Sequence, residues 1–172
     1  MRGLMSPIAV ACVLAVLATA GCNTDAGAGR RELTGLTAVT YNYSDEEIVS
    51  VRVNGRLAGA GHDAMRPGDV TGGARMCCID IDASTSMLPV EIKPALKDPF
   101  IVLAMLEHPI TKYPHYAVVH VLPHRKVVVA VTPTAPAPRA DLLDMRLGEL
   151  GVDHEVRFPR HMMDGGPTYD RE

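Results

Sequence analysis

The chain has 172 residues, 47% of them apolar and 22% charged, with a formal net charge of −3. That length fits one ordinary domain. The composition excludes a disordered acidic tail, a collagen-like chain and a polybasic nucleic-acid binder, and with no Trp the core must rest on Val, Ile, Leu, Ala and Met.

Residues 1–21 read as an address. Arg2 precedes a charge-free run from Ile8 to Ala18, too short to span a bilayer comfortably and followed by small residues, as in a secretory signal. Leu17-Ala18-Thr19-Ala20-Gly21-Cys22 resembles a bacterial lipobox, with Thr19 where Leu is usual. Cys22 is then the acylated mature N-terminus, and each buried acyl CH₂ contributes about 0.8 kcal/mol to membrane attachment. An ordinary cleaved signal and a retained transmembrane helix are the weaker readings. Residues 22–33 form a flexible tether. No Asp follows Cys22, which favours the periplasmic face of the outer membrane over the inner membrane.

The body, residues 34–138, reads as strands. Leu36–Tyr43 alternates, with Val39, Tyr41 and Tyr43 on one side and Thr40, Asn42 and Ser44 on the other, as in a half-buried strand. After the polar turn Ser44-Asp45-Glu46-Glu47, Ile48–Val53 alternates again, with Val49, Val51 and Val53 together. Asn54-Gly55 tolerates the positive φ angles of a tight hairpin turn, so a return strand through Arg56-Leu57-Ala58 is expected. Gly59–Gly73, glycine-rich with few large apolar residues, reads as a loop. Arg75–Asp82 is a strand with Cys77, Ile79 and Ile81 on one face and Cys78, Asp80 and Asp82 on the other. Met87–Lys93 and Phe100–Leu106 follow. Tyr116–Leu122 and Lys126–Thr132 form a second hairpin across Pro123-His124-Arg125.

Pro133–Pro138 is an extended connector to one short helix over 139–151. Asp141 is its expected cap, Leu143, Leu147 and Leu150 its apolar stripe and Gly151 its stop. Residues 152–172 read as a flexible tail. The expected fold is mainly β, an antiparallel sandwich or small barrel of about six to eight strands with one short C-terminal helix.

Candidate chemistry is sparse. Cys77 and Cys78 are adjacent, and neighbouring Cα atoms lie only about 3.8 Å apart, closer than a disulfide ordinarily bridges. One buried and one surface thiol, a vicinal disulfide and an intermolecular bridge all remain open, and a structural role is the safest. His62, His108, His115, His120, His124, His154 and His161 show no metal-ligand spacing and read as solvated or turn histidines. Neither Gly-x-Ser-x-Gly nor a phosphate-loop Lys-Ser/Thr occurs. No enzymatic activity, cofactor, metal or nucleic-acid partner is expected.

The order Gly35-Leu36-Thr37, Tyr41-Asn42-Tyr43-Ser44-Asp45, Val53-Asn54-Gly55, Gly72-Gly73, Cys77-Cys78, Leu88-Pro89 and Val119-His120-Val121-Leu122-Pro123 resembles a family of short proteobacterial lipoproteins. Its members join a Tyr-Thr/Ser-Asp turn and a Val-Asn/Asp-Gly hairpin to a Cys-Cys strand, and some are encoded beside type VI secretion phospholipase effectors. The resemblance implies an immunity lipoprotein that binds and neutralises such an effector in the periplasm. Asp45, Glu46, Glu47, Asn54 and Gly55 are candidate partner-binding residues, chosen for exposure. The alternative is a structural envelope lipoprotein that scaffolds a secretion or cell-wall complex.

Overall fold

The computed structural model describes residues 31–65 and 71–152. The expected signal, Cys22 and residues 153–172 of the expected tail lie outside the described residues.

Eight strands run in chain order: β1 (Glu32–Asn42), β2 (Ile48–Val53), β3 (Arg56–His62), β4 (Thr71–Asp82), β5 (Met87–Pro94), β6 (Phe100–Leu106), β7 (Tyr116–Leu122) and β8 (Lys126–Thr132). One helix, α1 (Ala140–Glu149), follows. The strands form a single sheet in the order β3-β2-β5-β6-β8-β7-β1-β4. Its two outermost strands, β3 and β4, lie side by side, so the sheet curls into a nearly closed barrel. Asn54 Nδ2 donates to the Asp80 carbonyl at 3.0 Å across that seam, and Thr40 Oγ1 donates to the Ala58 carbonyl at 2.9 Å nearby. The mainly β, barrel-like fold with one C-terminal helix is as expected. Two neighbour pairings, β1–β7 and β6–β8, are nonetheless parallel, because the chain crosses the barrel before it returns to those strands.

Two apolar layers hold the fold. The barrel interior packs Leu36, Ala38, Val51, Val53, Ile79, Ile81, Val90, Ile92, Val119 and Val129. The outer face of β1 and β7 carries Val39, Tyr41, Tyr43, Val118 and Leu122, which α1 covers with Leu142, Leu143 and Leu147. β1 is therefore buried on both faces along Ala38–Tyr43, not half-buried. Thr40 and Asn42, the polar half of its alternation, face inward and spend their hydrogen bonds on neighbouring backbone.

Several boundaries differ from expectation for identifiable reasons. β1 starts at Glu32 and Leu33 is already in the core, so the last residues assigned to the expected tether belong to the barrel. The β2–β5 register slips between Ile48 and Ser50, and this bulge turns Ile48 inward and leaves Val49 exposed. The expected loop 59–73 supplies the end of β3 and the start of β4. A Cβ on Gly59 would stand 2.5 Å from Thr40 Oγ1, so small residues here allow close strand approach. Gly72 has φ +129°, and a Cβ there would collide with the Thr40 carbonyl.

The β1–β4 ladder pairs Leu36 with Ile79 and Ala38 with Met76, which leaves one extra residue on β4. This bulge holds Cys77 and Cys78, both exposed, so Cys77 does not share the buried face of Ile79 and Ile81. At α1 the N-cap is Arg139, without a side-chain cap bond. Asp141 sits in the first turn, Leu142 joins the buried stripe, and Leu150 is only half-buried.

Candidate functional site

Beneath α1 lies a buried polar network that no motif announces. The Tyr43 hydroxyl accepts the Arg139 backbone N–H at 3.0 Å and stands 3.3 Å from His120 Nδ1. A neutral His120 that accepts the Tyr43 proton at Nδ1 satisfies both contacts. Burial first, then the Arg139 cation, pushes the His120 pKa down to about 3, with Asp141 opposing. Burial likewise raises the Tyr43 pKa.

Arg139 forks onto the Asp141 carboxylate and also pairs with Glu107. Hydrogen bonds to these two carboxylates hold its pKa up against the opposing effect of burial. Tyr41 Oη donates to the Pro136 carbonyl at 2.8 Å. Together these bonds strap the Pro133–Pro138 connector and α1 onto β1 and β7.

A second feature is a cleft of about 370 Å³ at the barrel mouth. Its floor is Ile48, Ile92, Phe100, Val121 and Leu122, and its polar rim includes Asp45, Glu46, Lys97, His124, Arg125 and Arg146. Asn42 fixes the acidic turn there: its Oδ1 accepts Ser44 N–H at 3.0 Å and Ser44 Oγ–H at 2.7 Å, and its Nδ2 donates to the Glu46 carbonyl at 2.8 Å. Glu46 pairs with Lys97, and the Arg125 guanidinium lies 4.4 Å from the Phe100 ring centroid. Arg146, from α1, donates Nη1 to Glu149 Oε2 at 3.0 Å, while its buried Nε has no hydrogen-bond partner among the described residues.

The third feature is the outer face of β6. Ile101, Leu103 and Met105 are 67%, 66% and 52% exposed, and Met87 and Pro89 of β5 stand opposite Met105 and Leu103. A strand apolar on both faces with only one face covered is unusual for a solvated surface. The β6–β8 ladder reaches only Met105 and Leu106. Leu106 N–H points toward β5, to the Ser86 carbonyl, and Glu107 N–H toward β8, to the Val129 carbonyl.

The expected site residues are thus divided. Asp45 and Glu46 line the mouth cleft, whereas Glu47 lies outside it. Asn54 and Gly55 sit at the opposite end of β2, where Asn54 N–H bonds to the Pro89 carbonyl. Cys77 and Cys78 are joined to each other on the exposed bulge of β4. Of the seven histidines, His108, His115 and His124 are exposed as expected, His62 and His120 are buried, and His154 and His161 lie outside the described residues. A polar residue inside the apolar run Tyr116–Leu122 was the available signal for His120. Arg139 and Arg146 had none.

Comparison with protein-family models, with curated proteins and with solved structures finds no match. The residues themselves carry the functional argument.

Proposed function

We propose that this protein is a lipid-anchored binding protein of the cell envelope. It is held at the periplasmic face of the outer membrane through Cys22 and neutralises a phospholipase effector of a type VI secretion system. The observation that supports the binding role is the outer face of β6, where three large apolar side chains, Ile101, Leu103 and Met105, stand exposed. Contiguous exposed apolar side chains of this kind mark protein interaction surfaces. The lipobox-like stretch supports the anchor. The Cys-Cys pattern and its companion motifs support the effector as partner.

The test is rescue. The phospholipase encoded nearest this gene is exported to the periplasm of a test strain with and without this protein. Survival should require the exported protein, and Leu103→Asp should abolish it by weakening binding at least tenfold, about 1.4 kcal/mol. Death in both strains, with the lipoprotein present in the outer membrane, would sink the proposal and leave the scaffold reading.

A further inference from the structure

We propose that the Cys77–Cys78 disulfide is a reversible two-electron redox site, opened and closed by exchange with external thiols. A cross-link ordinarily stabilises a fold by closing a loop of chain, and its effect grows with the length of that loop. Cys77 and Cys78 are joined to each other with no residue between them, so this bond closes no loop and ties no strand to another. Neither cysteine packs in the core, since both are exposed. The structural role expected from the sequence has nothing to act on, which leaves chemistry at the sulfur atoms.

The place of the pair in the sheet is an independent observation. Along the β1–β4 ladder the partners pass from Leu36 and Ile79 to Ala38 and Met76, so Thr37 alone stands opposite both cysteines. The Thr37 N–H bonds the other way, to the His115 carbonyl. Ile79 and Ile81, just beyond the pair, are buried in the barrel. Opening the disulfide therefore need not disturb the paired residues on either side of it. Bulges re-aim side chains and recur beside active sites. This one turns both cysteines to solvent, within reach of an attacking thiolate, and exposed disulfides are the labile ones.

The exchange consumes two equivalents of thiol. The first, as its thiolate, attacks one sulfur and forms a mixed disulfide, while the Cys77–Cys78 bond breaks and the freed cysteine takes up the proton that the thiol lost. The second thiolate attacks the mixed disulfide and releases the other cysteine, which takes up the second proton. The two external thiols leave as one disulfide, and two electrons have passed to the cysteine pair. The same steps in reverse restore the bond. The inference does not depend on the partner-binding role of β6.

The experiment uses full-length protein in a non-ionic detergent, equilibrated in buffers that run from oxidised to reduced glutathione, quenched with acid and alkylated. Mass spectrometry reads the tryptic peptide that begins at Met76, which carries Cys77 and Cys78 and no other cysteine. That peptide should pass from no alkyl group to two as the buffer becomes reducing, and return when the ratio is reversed. The thermal midpoint of the reduced protein, and of the Cys77→Ser/Cys78→Ser variant, should stay at that of the oxidised protein. Resistance to excess reduced glutathione, free thiols in protein isolated without reductant, or a midpoint that falls on reduction would each overturn the proposal.

Discussion

The hydroxyl of Tyr43 satisfies two buried groups at once, the Arg139 N–H and His120 Nδ1. Tyr43→Phe keeps the ring and its packing but removes the hydrogen bond each of them makes to the hydroxyl, so urea unfolding should show a loss of about 1–3 kcal/mol. His120 gives the network a pH signature. Its pKa falls from 6.5 unfolded to about 3 folded, so its full contribution to stability is present above pH 6.5. As pH falls through that window the unfolded chain takes up the proton first, and stability drops with a slope of up to about 1.4 kcal/mol per pH unit. The lowered His62 pKa acts in the same direction. Unfolding free energies from pH 7 to pH 3 should therefore flatten, without becoming level, in His120→Asn; an unchanged slope would show that His120 is not the group responsible. Little of this was legible in sequence, because Tyr43 and Arg139 are 96 positions apart and only the wrapped sheet brings them together.

At the scale of elements, periodicity located nearly every strand and the helix, since each has an apolar face whose repeat matches its geometry. The exceptions are informative. Bulges at Val49 and at Cys77-Cys78 break the alternation because ladder register, not composition, decides which side chain turns inward. Glycines 59 and 72 look like loop residues and are sites of close approach. Gly59→Ala meets Oγ1 and Cβ of the stiff Thr40 side chain and the ring end of His62 and should cost about 1–3 kcal/mol. Gly72→Ala meets Thr40 backbone at a positive φ that an L-residue resists. It should lower the thermal midpoint further than Gly59→Ala, and the reverse order would mean that the β1–β4 contact yields more easily than the side chains inside.

For the whole molecule, curling one sheet until β3 meets β4 leaves an interior packed with Val, Ile and Leu, and two outer surfaces of different fate. Helix α1 covers β1 and β7, while no described residue covers Ile101, Leu103 and Met105 on the outer face of β6. Leu103→Asp should therefore leave unfolding free energy within about 0.5 kcal/mol of the parent while partner binding is lost. A large loss of stability instead would mean that Leu103 serves the fold, and that the face is no docking surface.

By itself the sequence determined what depends on near neighbours: the strand and helix periods, the Asn54-Gly55 turn and the mainly β class. The tertiary structure alone decided the parallel pairings, the two buried histidines, the strapped helix and the mouth cleft. Most of these join residues distant in the chain, and their energies come from burial and charge that exist only once the barrel has closed; His120 alone left a local trace, as a polar residue inside an apolar strand run.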